Sequence, residues 1–425
     1  MRLSKKPDSI PKPAPKPIPE LASNAQAVPG ERALIHSIAG RLPRSGYPAV
    51  RLGIGDDCAI LRPRNGHEIV VTTDLLLEGR HFRRDWHSAE SAGHRCLARG
   101  LSDLAAMGAT PLAAFLSLAI PVGRLEAERI RASPEAKTEA SLNAKLRTRR
   151  RKTTPRATSW VEGFFDGLLA LAEKHHVPLA GGDTAQSPHE GVLADIVLLG
   201  QTPRQCALRR STAQPGDRLY VTGALGGSAA ELLAMEQIGG HAASQLANHP
   251  QSFPTPRLAV GQALLRRKLA TAAIDVSDGL STDLDHLCEE SGLAATIDAS
   301  ALPIHPLARM AAEQGWAASA LALALHGGED YELLFTASPS TRVPKSIHGV
   351  AIHSIGTLQR TSSRTPRLRI TSCDQKGKKA TQELLAQGWE HFKKGAEVAK
   401  VPEGGAFSSC CTNGRAAFRR VSRAV

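Results

Sequence analysis

Acidic side chains in this chain close short apolar runs instead of gathering on polar stretches, and that placement limits the folds open to it. Asp56 and Asp57 follow Gly53-Ile54-Gly55, Asp74 ends Val70-Val71-Thr72-Thr73, and Asp103 stands inside an apolar Leu-Ser-Asp-Leu-Ala-Ala-Met segment. Asp183 closes Ala180-Gly181-Gly182, Asp275 and Asp278 lie in Ala-Ile-Asp-Val-Ser-Asp-Gly-Leu, and Glu329 and Asp330 follow Gly327-Gly328. One Asp at a strand end reads as a turn former or a helix cap. Six such sites read differently, because strand C-termini converge in α/β architecture and bring these residues toward one cleft. Carboxylates gathered there repel one another and are costly to hold without a cation among them. Hard oxygen donors with little His or Cys select Mg²⁺ or Mn²⁺. Thr72 and Thr73 beside Asp74 add oxygens of the same kind.

Hydrophobic periodicity supplies the elements between these acids. Short apolar strands at 59–61, 69–74 and 112–120 surround a helix near 88–107, and a further helix is expected near 30–42. The pattern resumes at Trp160 with helical spacing through Val177. Strands follow at Pro178–Thr184 and 195–201, and a Pro-Gly-Asp turn precedes a strand ending at Gly223. The second half mixes helices from Ser228, near 255–269, at 280–291 and at 306–313 with strands AAIDVS, AATID and ELLFTA. No strand is assigned beyond ELLFTA, and the last ordered element is placed near Phe392. The fold class read from this order is α/β, of the α+β type. It has two domains: an N-terminal mixed sheet with helices over 29–203, and a C-terminal α/β domain over 204–396.

Charge refines the partition. The chain carries +13 over 425 residues, while residues 1–19, 124–159 and 393–425 carry +4, +7 and +5, so the remaining body is slightly acidic. A nucleic-acid-binding fold builds its basic patch into the folded body; here the basicity is peripheral, and no nucleic-acid partner is expected. The Pro- and Lys-rich residues 1–28, the basic insertion 124–158 and the tail 397–425 read as disordered. Seven cysteines, an odd count with no CxxC, fit reduced cytosolic thiols. The N-terminus shows no apolar core of a secretory signal. The uncharged run from Leu104 to Val122 is interrupted by Gly108, Pro111 and Pro121, and reads as a buried helix followed by a buried strand, not a membrane span. The chain is expected in the cytoplasm.

Glycines accompany the acids, and glycine lets backbone N–H groups approach phosphate oxygens closely. Gly-Ala-Leu-Gly-Gly at 223–227 follows a strand and opens a helix, so it suits an anion, although a turn with a cap explains it equally. The P-loop pattern, the protein-kinase signature set, HExxH and GxSxG are all absent from the sequence. These features together indicate metal-dependent phosphate chemistry in an acidic cleft.

The motifs GIGDDCAIL, VTTDLLLEGRHF, LSDLAAMGATP, AGGDT, LRRS…PGDRLYVTG, AIDVSDGLSTDL, LHGGEDYELLFT and GWEHF occur in one order. In this the chain resembles the thiamine-monophosphate kinases, within the superfamily of aminoimidazole-ribonucleotide synthetase, selenophosphate synthetase and a hydrogenase-maturation protein. The resemblance spans about residues 30–123 and 160–392. It implies ATP-dependent phosphorylation of thiamine monophosphate to thiamine diphosphate with several Mg²⁺ ions, in a homodimer joined through N-terminal sheets. It implies magnesium ligation by Asp57, Thr72, Thr73, Asp74, Asp103, Asp183, Asp275 and Asp278, with Asp103, Asp183 and Asp275 at the catalytic centre. Gly182, Asp183, Arg210 and Ser277 would meet ATP, Arg210 suiting phosphate through its guanidinium fork. His81, Glu329 and Trp389 would meet thiamine phosphate, Trp389 by stacking where the family often has Tyr.

Each of these residues also has a plain reading: His81 and Trp389 as packing residues, Ser277 as the cap of helix 280–291. The chain departs from the family at Gly100, where Asn is usual, and in the insertion, the N-terminal segment and the tail. Three other readings stay open on sequence. The first is another ATP-using member of the superfamily, although selenophosphate synthetase needs a reactive Cys in a glycine-rich N-terminal segment and the first Cys here is Cys58. The second is a metal-dependent phosphohydrolase. The third is an inactive adaptor using the basic segments.

Overall fold

The computed structural model describes residues 37–42, 47–52, 54, 58–121, 159–246, 248–373 and 378–389. Segments 1–28, 124–158 and 397–425 lie outside the described residues, as does Asp57. A short antiparallel pair, β1 (Val50–Leu52) and β2 (Ile60–Leu61), leads into a four-stranded mixed sheet. That sheet contains β3 (His67–Leu77), β4 (Thr110–Ile120), β5 (Leu179–Gln186) and β6 (Leu193–Pro203), in the order β3-β6-β4-β5. Only the β4–β5 pair in it is parallel.

Two helices cover its inner face: α1 (Ala89–Ala106), capped by the Ser88 hydroxyl, and α2 (Trp160–Lys174), opened by a capping box of Ser159 and Glu162. They pack closely because glycines stand at the contact. A Cβ on Gly93 would lie 1.7 Å from the Phe164 carbonyl oxygen, and one on Gly167 would lie 1.8 Å from that of Glu90. The outer face of this sheet stays open: Ile69, Val71, Leu75 and Leu193 are exposed, Val71 by 63%.

The second half builds a larger sheet from β7 (Arg218–Thr222), β8 (Ala272–Val276), β9 (Leu293–Asp298), β10 (Glu332–Ala337), β11 (Ser346–Ile347), β12 (Val350–Arg360), β13 (Leu368–Cys373) and β14 (Lys379–Glu383). The order is β14-β13-β9-β12-β7-β10-β8, with β11 on β12. Its helices are α3 (Gly227–Ile238), α4 (Leu258–Arg266), α5 (Leu280–Ser291), α6 (Pro306–Glu313) and α7 (Ala320–His326), with a one-turn helix at Gly240–Ala243 between α3 and α4. Strands β11 to β14 and helix α7 fall where the sequence reading assigned nothing. The β12 and β14 stretches are rich in polar residues and lack the apolar run that signals a buried strand.

The mixed architecture is the one expected. Packing also runs across the two halves. One apolar cluster joins Leu97, Leu101, Phe164 and Ile196 of the first half to Leu264, Leu333 and Phe335 of the second, while another lies wholly in the second half around Leu219, Ile274 and Leu287. Helix α1 is therefore packed on both sides. It carries residues of the first half into contact with β8 and β10. The described part of the uncharged run, from Leu104, forms the end of α1 and then β4, and among the described residues no helix is long and apolar enough to cross a membrane.

Candidate active site

Helix α1 organises the cleft. Arg95, Arg99 and Asp103 stand four residues apart, so they follow one another along one face of the helix. Asp103 meets Asp275, which the C-terminal end of strand β8 presents from the second half. Asp103 accepts from the Thr72 hydroxyl of β3, and Asp275 accepts from the Ser102 hydroxyl at 2.8 Å. Asp275 is only 3% exposed. Burial, and then repulsion from Asp103, push its carboxyl up to about 7. Asp103 is raised as well, by burial first, and the pair titrates as a unit. Among the described residues no Lys or Arg lies within ion-pair distance of either acid. Arg210, exposed at the rim, is near enough to lower both electrostatically. Two carboxylates and a threonine hydroxyl, with no nitrogen or sulfur donor between them, form a donor set suited to a hard divalent ion.

The other side of the cleft is compensated from within the protein. Arg95 is fully buried; its Nη2 donates to Glu329 Oε1 at 2.9 Å and to the His81 carbonyl at 2.8 Å. Arg99 Nε and Nη2 both donate to Asp74 Oδ1, at 3.0 and 2.7 Å. Its Nη1 reaches Glu329 Oε1 at 3.4 Å and the Tyr331 hydroxyl at 3.3 Å. Burial pushes Glu329 up, but Arg95 and Arg99 outweigh it and hold the carboxyl below the usual range. At Asp74 burial prevails over the pull of Arg99 and the carboxyl is raised. Glu329 reaches this place through a left-handed turn. Glu329 and Tyr331 have φ of 56° and 50°, and their N–H groups donate to the carbonyls of Ser277 and Val276 at 2.7 and 2.9 Å. The strained turn is thereby tied to the end of β8, beside Asp275.

The expected residues thus divide. Thr72, Asp74, Asp103 and Asp275 come together, with Arg210 at their rim. His81 and Glu329 share Arg95, and the His81 ring accepts the Leu77 N–H at 2.9 Å. Thr73 points the other way, since side chains alternate along a strand, and its hydroxyl donates to Asp195 at 2.8 Å. Asp183 is not brought to the acid pair. Its register through Ser117 and Asp195 to Leu75 puts it on the outer face, three strands from β3 and roughly 14 Å across the sheet. Gly182 beside it has φ of 152°, and a Cβ there would lie 1.9 Å from the Leu116 carbonyl oxygen; glycine lets β5 approach β4.

Ser277 does not cap α5. Gly279 is the N-cap, and the Asp283 carboxylate accepts the N–H groups of Ser277, Asp278 and Gly279 at 3.1, 3.1 and 3.0 Å. Asp278 groups with Asp283 and His286, their donor atoms within 4.8 Å of one another, and its carbonyl accepts the Trp389 N–H at 2.9 Å. The Trp389 side chain is partly exposed there. The anion that Gly-Ala-Leu-Gly-Gly accommodates is the protein's own. Asp330 accepts from the Gly226 and Ser228 N–H groups at 2.7 and 3.3 Å, capping α3.

Comparison with known proteins identifies the family. The model of the AIR synthase related protein N-terminal domain matches residues 55–202, and that of its C-terminal domain matches 214–343. The thiamine-monophosphate kinase of Salmonella typhimurium is 37% identical over 332 residues, 77% of this chain and 87% of that protein. The thiamine-monophosphate kinase of Bacillus subtilis is 31% identical over 366 residues, 85% of this chain and 98% of that protein. The chain belongs to the thiamine-monophosphate kinase family. Among solved structures, the thiamine-monophosphate kinase from Stenotrophomonas maltophilia superposes with a TM-score of 0.60 at 33% identity, covering 79% of this chain and 94% of that one. AaThiL complexed with AMPPCP and TMP gives 0.58 at 27% identity, covering 78% and 89%.

Within this family frame, the functional residues that sequence reasoning missed are Arg95, Arg99 and Tyr331. A signal was present for the two arginines: charges recurring every four residues on a helix otherwise apolar on that face. Tyr331 left none, because its place depends on the left-handed turn.

Proposed function

We propose that this chain transfers the γ-phosphoryl group of ATP to thiamine monophosphate, giving thiamine diphosphate and ADP, as the named activity of its relatives suggests. The observation that carries the reading is the meeting of Asp103 and Asp275, one from each half of the chain, beside the Thr72 hydroxyl. The acceptor is a terminal oxygen of the substrate phosphate, already anionic near neutral pH, so direct in-line attack needs no strong general base. The obstacle is repulsion between two phosphate groups. Asp103, Asp275 and Thr72 would hold magnesium, with Asp57 and Asp278 as further ligands by resemblance; Asp74 is already paired by Arg99, and Asp183 lies on the outer face of the sheet. When bound, magnesium supplies charge neutralisation to the phosphates. Arg210, exposed beside the acid pair, takes a phosphate oxygen. Glu329 and His81, held by Arg95, face the acceptor substrate, with Trp389 at its ring and Ser277 and Gly182 toward the nucleotide.

The reading extends to assembly and compartment. The exposed Ile69, Val71, Leu75 and Leu193 support a homodimer closed over the outer sheet face, because a monomer seldom leaves such a row in water. In that assembly the outward Thr73 and Asp183 would lie at the interface. The free thiols of Cys58, Cys96, Cys206, Cys288 and Cys373 support the cytoplasm. The test is incubation with Mg²⁺, γ-labelled ATP and thiamine monophosphate. Label in thiamine diphosphate supports the reading; label only in free phosphate replaces it with a hydrolase. Sedimentation of the full chain tests the dimer, and a monomer at micromolar concentration removes it.

A further inference from the structure

Charge accounting in the cleft singles out Arg99. Arg95 and Arg99 together offset Asp74 and Glu329, so that side of the cleft is neutral from protein groups alone. Asp103 and Asp275 remain, two negative charges that one divalent ion balances. We propose that the Arg99 guanidinium takes the position at Asp74 that a metal ion would otherwise hold, so that this chain binds one ion fewer than its carboxylate set allows. The proposal rests on the phosphotransferase reading above for the presence of metal at Asp103 and Asp275.

Three observations support a fixed cation there. Arg99 is largely buried, and two of its N–H groups converge on one oxygen of Asp74. Its remaining nitrogen is placed by Glu329 and by the hydroxyl of Tyr331, a residue anchored through its own backbone to β8. The helix that carries it is pressed onto the sheet. A Cβ on Gly100 would lie 2.6 Å from Leu198 Cδ1 and 3.6 Å from Thr72 Cγ2, so the backbone beside Arg99 approaches β3 and β6 closely. The guanidinium alters the surroundings of Asp74 directly. Arginine suits such a post, since it stays charged when buried and keeps a planar fork of donors.

The test counts ions. Mn²⁺ is titrated into the full chain, alone and with a saturating non-hydrolysable ATP analogue, and bound ions per chain are read from the loss of the free-ion resonance signal. Asp74→Asn is expected to leave the count unchanged, and Arg99→Leu to raise it by one. The double variant Arg99→Leu with Asp74→Asn returns it to the starting value. Loss of an ion in Asp74→Asn overturns the proposal. So does an unchanged count in Arg99→Leu that retains a cooperative melt. Should Arg99→Leu not fold, Asp74→Asn decides alone. Failure to form thiamine diphosphate overturns the functional reading instead, while the Mn²⁺ count at Asp74 still decides this one.

Discussion

The two ends of one helix handle buried charge in opposite ways. In its earlier turns α1 provides Arg95 and Arg99, and the acids opposite them, Glu329 and Asp74, are paired by protein cations. A turn later it provides Asp103, which faces Asp275 with hydroxyl hydrogen bonds and the more distant pull of Arg210 for relief, but no ion pair among the described residues. Glu329 is held below the usual carboxylate range and Asp275 is pushed up to about 7. The contrast separates two uses of an acid. Where the protein supplies the counter-charge, the carboxylate fixes structure and positions neighbouring groups. Where it withholds one, the carboxylates stay without a protein counter-charge and the fold bears the cost, which is what the proposed cation site requires.

Removing an acid from each side is the strongest way to break this comparison. Asp103→Asn should lower turnover by at least ~10²-fold at saturating magnesium, the scale of losing a key electrostatic group; steady-state kinetics near the wild-type rate would end the distinction. Glu329→Ala leaves the fully buried Arg95 without its carboxylate and should cost about 3 kcal/mol of stability in denaturant titration.

Asp275→Asn should move stability the other way in chelator-treated protein. The folded state keeps the Asp275 proton up to about 7, whereas an unfolded chain releases it near the ordinary value of about 3.9. Between those values the folded state binds more protons, so this group makes stability fall as pH rises through that window, and the loss is complete above the folded value. Denaturation midpoints at pH 5, 6, 7 and 8 should therefore decline in the wild type and decline less steeply in Asp275→Asn, since other acids raised by burial, such as Asp330, keep their own share of the slope. Equal slopes in the two proteins would contradict the assignment. The smallest effect is expected for Thr72→Val, which removes one hydrogen bond to Asp103 and should cost about 1 kcal/mol, read as a loss of less than ~10-fold in turnover.

Much of this was legible without coordinates. The apolar run at 69–74 marked β3, the helical spacing from Trp160 marked α2, and the acids closing apolar runs marked residues of the cleft. The cleft itself was legible only in part. In the fold Asp74, Asp103 and Asp275 lie near one another, whereas Thr73 and Asp183, drawn from the same motifs, lie on the outer face of the sheet. A motif names neighbouring residues, but alternation along a strand sends consecutive side chains to opposite sides. Strands β11 to β14 escaped notice because their residues are mostly polar or half-exposed, and pairing with β7, β9 and one another holds them in place.

Period and composition are local properties. For this chain they determined the succession of helices and strands, the acids at element ends and the oxygen-only character of the donor set. Contact across 173 residues of chain is not local. Whether Asp275 comes to lie beside Ser102 and Asp103, and whether Arg99 neutralises Asp74, was decided by how α1 is wedged between the two sheets. The reason is physical: charge interactions depend on separation and on the water excluded between groups, and both are set only when the core closes.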